Sequence, residues 1–173
     1  MSVWMVSLAG LPGVGKSTLA RMLAARTGAL WLRIDAIEGA MRLSHMRCDD
    51  LADGGYAAAQ AVASGALRQG FCVIADCVNP WAMTRAAWQV ASAKAGALHL
   101  DVELVCSDTA AHRRRIEADR DAPEGGQQPD WQAVCTRDYT PFDGALRLDT
   151  ADFSAEAATG RIIKELEGRG WLN

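Results

Sequence analysis

The stretch Gly10-Leu11-Pro12-Gly13-Val14-Gly15-Lys16-Ser17-Thr18 contains the eight-position pattern G-x-x-x-x-G-K-[ST], with every required position filled. Glycines let the backbone curl tightly enough for successive N–H groups to converge on phosphate oxygens. A helix starting behind the loop aims its positive end at the same point. Lys16 then reaches the β- and γ-phosphates of a nucleoside triphosphate, and the Ser17 hydroxyl takes one coordination position on Mg²⁺. Gly10, Pro12, Gly13, Val14, Gly15, Lys16, Ser17 and Thr18 are therefore the expected phosphate cradle.

Two carboxylates follow where that chemistry needs them. Ala29 to Ile34 (ALWLRI) reads as a second strand delivering Asp35, and Phe71 to Ala75 (FCVIA) as an apolar third strand ending in Asp76. Ligands of open parallel sheets sit just beyond the carboxyl ends of the strands. Asp76 is the expected metal-side carboxylate, holding Mg²⁺ directly or through water. Each residue also has a plainer reading, Asp35 as the cap of the next helix and Asp76 as a turn aspartate.

The most charged stretch is Ala110 to Arg120 (AAHRRRIEADR), in helical register. Consecutive arginines spread around a helix, so they cannot all face one phosphate; Arg115 and Asp119, four apart, are suited to pair. Such a run is ordinarily a solvated face. The Gly/Pro-rich segment behind it, Asp121 to Asp130 (DAPEGGQQPD), suits a lid that brings arginines over a triphosphate.

The surrounding pattern supplies the frame. Ser2 to Leu8 reads as a strand entering the glycine loop and Lys16 to Arg26 as a helix leaving it. Tyr56 to Gln69 reads as a helix stopped by Gly70. After Asn79-Pro80 a helix is expected from Trp81 to Ala95, carrying Arg85, which either points back to the site or is solvated. Leu98 to Val105 is the fourth strand, with His99 structural. Trp131 to Tyr139 is a short helix and Ala145 to Leu148 a fifth strand leaving at Asp149-Thr150. Ser154 caps a last helix whose core face is Ala158, Ile162, Ile163 and Leu166. Alternating strands and helices predict a three-layer α/β fold with a mainly parallel five-stranded sheet.

At 173 residues, half of them hydrophobic, the chain predicts one domain spanning 1–173 that buries its own core. A net charge of -3 argues against a nucleic-acid binder, which carries a basic excess. The five cysteines form no C-x-x-C pair, and Cys72 and Cys106 lie in apolar runs as core residues. The N-terminus lacks a charged-then-apolar signal region and no apolar run approaches bilayer length, so a cytoplasmic protein without a membrane partner is expected. No guanine-reading N-K-x-D occurs.

These residues resemble a known family. GLPGVGKST, RIDAIE around Asp35, VIADCVNP around Asp76 and Asn79, VCSD followed by HRRRIE, then PDWQAVCTRDY and LDT occur in the order found in small P-loop kinases of the adenylate, shikimate and adenylylsulfate kinase type. The chain looks most like bacterial AAA-domain or adenylylsulfate-kinase-like proteins. The resemblance implies a P-loop NTPase fold with sheet order 2-3-1-4-5 and a lid, about residues 110–140, between strands four and five. It implies ATP and Mg²⁺ as cofactors and transfer of the γ-phosphoryl group to a hydroxyl of a small molecule. Asp35 would orient or deprotonate that hydroxyl, Arg115 and Arg120 would be lid arginines near the phosphates, and Asp149-Thr150 would lie near the adenine. Asp50 to Tyr56, Asn79 and Arg85 would shape the acceptor pocket. Similar lid helices read R-[IV]-E-x-R, whereas here Asp119 stands at the last position and Arg120 follows it. Two other readings are a kinase of a polynucleotide end or nucleotide-sugar, disfavoured by the acidic pI near 5.6, and a non-catalytic ATP-binding regulator.

Overall fold

A computed structural model describes residues 2–45, 50–118, 124–126 and 128–172. In chain order the elements are β1 (Trp4–Ala9), α1 (Lys16–Thr27), β2 (Leu30–Arg33), α2 (Ile34–Leu43), α3 (Gly54–Arg68), β3 (Val73–Asp76), α4 (Ala82–Lys94), β4 (Leu98–Val105), α5 (Thr109–Ala118), α6 (Trp131–Cys135), β5 (Leu146–Asp149) and α7 (Ala155–Gly168). The five strands form one sheet in the order β2-β3-β1-β4-β5, and every pairing is parallel.

The period of two along each strand sorts side chains between two cores. Trp4, Val6 and Leu8 of β1 face α1 and α7, meeting Leu19, Leu23, Ile162 and Leu166. Met5 faces the other way, with Val73 and Ala75 of β3, toward Ala59, Ala63 and Leu67 of α3 and Trp88 of α4. This is why β1 is buried throughout, with Ser7 as its one polar side chain: both its faces are covered. On β4 the face toward α4 carries His99, Asp101 and Glu103 instead. Ser7 donates to Asp101 Oδ1, Gln89 Nε2 donates to Asp101 Oδ2 at 2.7 Å, and His99 lies 2.8 Å from Ser92 Oγ. His99 is thus a structural residue on the inner face of the sheet.

Local rules explain most boundaries. Ser154 caps α7 by accepting the Ala157 N–H, and Ala158, Ile162 and Leu166 form its buried face, with Thr159 in place of the half-buried Ile163. Strand β3 starts later than the apolar run FCVIA suggests, because the Phe71 N–H is spent on Ala66 O of α3 and its ring stays exposed. Asp35 does not cap α2. Arg33 holds that position, and Asp35 sits inside the first turn, where a carboxylate still complements the helix dipole. The two cysteines expected in the core, Cys72 and Cys106, are half-buried; among the described residues the buried cysteine is Cys77. Among the described residues, no helix is long and apolar enough to cross a membrane.

Candidate functional site

The site lies at the carboxyl end of the sheet, where β1 opens into the glycine loop. Helix α1 begins at Lys16 behind Gly15 in the left-handed region, and no side chain caps it, so its first-turn N–H groups face the loop uncapped. The second motif glycine has a packing reason of its own: a Cβ on Gly13 would come within 2.5 Å of Ile116 Cδ1 on α5. In the same contact His112 lies 2.7 Å from Pro12 O and meets the Trp131 ring edge-on. Helix α5 therefore rests directly on the loop, and α6 packs against α5. Val14 turns its side chain into the core, leaving the backbone as its contribution to the cradle.

Lys16 is 8% exposed and donates to Gly10 O at 2.8 Å and Leu11 O at 2.9 Å. Burial pushes its pKa down, Asp76 and Asp35 act against that shift, and Arg137 adds to it. Asp76 closes β3 at 3% exposure and accepts the Trp31 indole N–H at 3.2 Å. Burial raises its pKa, while Lys16 and hydrogen bonds from Ser17 and Trp31 hold it down. The Ser17 hydroxyl thus lies near enough to Asp76, beside Lys16, to favour its charged form. Asp35 is exposed on α2 and acts electrostatically on Lys16, Asp76 and Glu38. Three expected parts, the lysine, the serine–aspartate pair and the α2 carboxylate, share one place; Thr18 is exposed at its rim.

The acceptor-side residues divide. Asn79 follows β3 with φ 51, is fully buried, and hydrogen-bonds through its N–H to Tyr56 Oη at 3.0 Å. Its carboxamide O and N are buried without a hydrogen-bond partner among the described residues. Burial raises the Tyr56 pKa, so the phenol is neutral. Arg85, by contrast, neither points into the pocket nor faces solvent. It is 4% exposed, and its guanidinium donates to the carbonyls of Asn79 (3.0 Å), Pro80 (3.3 Å), Pro141 (3.0 Å) and Thr140. The Phe142 ring lies 4.3 Å from its Cζ and the Tyr139 ring 5.2 Å. A planar fork of five donors suits a cluster of carbonyls, and with four such bonds made it is a clamp between two loops.

The arginines expected over the phosphates also move. Arg115 donates to Thr150 Oγ1 at 2.8 Å and Thr150 O at 2.9 Å, so it holds the exit of β5 rather than facing Lys16. Arg120, with Asp119, lies outside the described residues. Beside Arg115, a cavity of about 480 Å³ is lined by Val105, Cys106, Ser107, Arg147, Asp149 and Phe153. Asp149 Oδ1 accepts the N–H groups of Ser107 (3.0 Å) and Ala151 (2.9 Å), tying the β4 and β5 exits together; the Ser107 hydroxyl first, then these N–H groups, hold its pKa down.

Sequence reasoning missed Trp31, Glu38 and Arg137. Trp31 was findable: in ALWLRI it directly precedes the buried Leu32, on the strand next to the Asp76 strand. Glu38 lies one turn beyond Asp35 on α2; burial raises its pKa, while Arg42 and Arg137 lower it. Arg137 carried no local signal, because α6 stops at Cys135 instead of running to Tyr139.

An all-parallel sheet in the order 2-3-1-4-5, helices on both faces and a phosphate loop between β1 and α1 define a P-loop NTPase fold of the small-kinase type. The chain belongs to the AAA domain family, whose model matches residues 5–133. No curated protein sequence matches it significantly. Among solved structures it is similar to the Mycobacterium tuberculosis APS kinase CysC in complex with AMPPNP and APS, at 22% identity and TM-score 0.66 over 96% of this chain and 98% of that one. A gluconokinase from Sinorhizobium meliloti 1021 aligns at 17% identity and TM-score 0.66, over 96% of this chain and 97% of that one. Chaetomium thermophilum Kti12 in complex with ADP-AlF3 aligns at 19% identity and TM-score 0.61, over 92% and 97%.

Proposed function

We propose that the protein is an ATP-dependent kinase that transfers the γ-phosphoryl group to a hydroxyl of a small molecule. The observation that carries this reading is the convergence of Lys16, the Ser17–Asp76 pair and an exposed Asp35 within one electrostatic neighbourhood. A loop that only stored a nucleotide would need no carboxylate on the acceptor side.

Ser17 Oγ and the Asp76 carboxylate are hard oxygen donors, close enough for the hydroxyl to bear on the Asp76 pKa, and fit Mg²⁺. Among the described residues no group of three or more His, Cys, Asp or Glu could hold a metal, and Mg²⁺ does not require one, since phosphates and waters complete its shell. When bound there, Mg²⁺ would neutralise charge on the phosphates. The backbone N–H groups from Gly13 to Thr18 hold the phosphate oxygens, and Lys16 turns from its two loop carbonyls to them. Asp35 accepts the proton of the acceptor hydroxyl. The acceptor oxygen forms a bond to the γ-phosphorus as the bond to the β–γ bridging oxygen breaks, and ADP leaves. The unspent carboxamide of Asn79, beside Tyr56, is available to hydrogen-bond the acceptor. The cavity at Asp149, Thr150 and Arg115 would take the base.

The test is a screen of hydroxyl compounds, sugars and adenylylsulfate among them, for acceptor-dependent ADP release. Removing one preorganised charge of this kind costs roughly 10²–10³ in turnover. Lys16→Ala should therefore lose turnover on that scale while remaining folded, and Asp35→Asn should lower kcat more than it raises KM. Wild-type turnover in Lys16→Ala would refute the reading, and tight ATP binding with no acceptor-dependent ADP release across the screen would make the protein a regulator.

A further inference from the structure

We propose that Arg137, in the loop leaving α6, is the cation that meets the transferring phosphoryl group. The assignment rests on the phosphotransferase reading above. Arg115, the obvious alternative, spends its fork on Thr150 at the far edge of the sheet. The inference starts from how residue 137 is suspended. On its N-terminal side, Trp131 of α6 packs on His112, and His112 lies against Pro12 O of the phosphate loop. On its C-terminal side, Asp138 Oδ2 accepts the Trp81 indole N–H at 2.9 Å, and the Thr140 N–H donates to Pro80 O at 3.0 Å. Arg85 clamps Thr140 and Pro141 to the same loop.

Beyond that clamp, Glu103, 1% exposed on β4, accepts the Tyr139 hydroxyl at 2.8 Å and the Phe142 N–H at 3.1 Å. The chain from 131 to 142 is therefore tethered at one end to the glycine loop and at the other to the loop leaving β3. Those loops flank Lys16 and Asp76. A residue halfway along such a strap spans the mouth of the site. Its electrostatics agree: the Arg137 charge acts on both Lys16 of the donor side and Glu38 of the acceptor side. Its side chain is exposed and makes no hydrogen bond or ion pair among the described residues. A guanidinium spanning donor and acceptor is suited to the equatorial oxygens of the phosphoryl group as it passes from the β–γ bridging oxygen to the acceptor oxygen.

A readout that needs no known acceptor is the binding of ADP compared with ADP plus Mg²⁺ and aluminium fluoride, which fills the place of the transferring group. Calorimetric titration of wild type, Arg137→Met, Arg137→Lys and the exposed-face control Arg113→Met measures both. Losing a charge-assisted contact corresponds to about 10- to 100-fold. Arg137→Met should bind ADP within about twofold of wild type, yet bind the aluminium fluoride complex weaker by that 10- to 100-fold factor. Arg137→Lys should recover part of the loss, and Arg113→Met should match wild type. Equal aluminium fluoride gains in wild type and Arg137→Met, or an equal loss for ADP alone, would overturn the assignment and leave the kinase reading standing. A wild-type protein that binds ADP but gains nothing from aluminium fluoride would overturn the kinase reading, and this assignment with it.

Discussion

Replacing Arg85 with methionine should unfold the protein several degrees earlier. The side chain is 4% exposed and its charge is met by four carbonyls and two ring faces, with no carboxylate among its partners. Hydrogen bonds from a charged donor contribute about 1.5–3 kcal/mol each, so four would nominally exceed 6 kcal/mol on the same scale. Three effects reduce that figure. Immobilising an arginine costs up to about 2 kcal/mol of rotamer entropy. Pro80 O keeps the Thr140 N–H as a donor, and Thr140 is exposed enough for water to replace its lost bond. What remains is mainly the buried Asn79 carbonyl, the Pro141 contact and the ring stacking, giving a net cost of about 3–4 kcal/mol. At this size roughly 2–4 °C of Tm is lost per kcal/mol, so Arg85→Met should lower Tm by about 6–16 °C in circular-dichroism melts. Arg85→Lys should recover less than half, because an ammonium cannot reproduce the planar fork. A Tm within about 2 °C of wild type for Arg85→Met would refute the clamp.

Two further perturbations test other joints. In Gly39→Ala the new Cβ would come within 2.4 Å of Glu124 O, while alanine favours a helix interior by about 0.5–1 kcal/mol. Helix α2 should hold, but amides 124–126 should exchange faster in hydrogen–deuterium experiments; unchanged exchange would mean that the segment does not dock on α2. Asp101 is the second case. Burial raises its pKa, but hydrogen bonds from His99, Ser7 and Gln89 outweigh it and leave the carboxyl below its ordinary 3.8. Its stabilising contribution is therefore complete well above pH 3.8 and fades as pH falls through the lower folded value. Urea midpoints should drop more steeply between about pH 4 and pH 2 in wild type than in Asp101→Asn, and parallel profiles would count against it.

The phosphate loop, the alternation of elements and the strand-end carboxylates were legible because each is written in contiguous residues. The glycine-loop motif carries its own backbone chemistry, and β1 or FCVIA reads as buried strand because apolar runs have one economical place in a doubly covered sheet. Even the sheet order, implied by resemblance, matches the structure. The roles of the arginines were not legible. Arg85 meets partners 55 and 56 positions away, and a helical arginine near a turn looks the same in sequence whether it is solvated, bound to substrate or clamped by carbonyls. The same holds for Arg115, whose partner lies 35 residues on, and for Arg137, whose placement depends on two tethers formed by other residues. What sequence alone determined is where phosphate chemistry begins, because that chemistry uses local backbone. Where each arginine's fork is spent was decided only by tertiary structure, because its partners are the carbonyls and charges that the fold brings within about 3 Å of it.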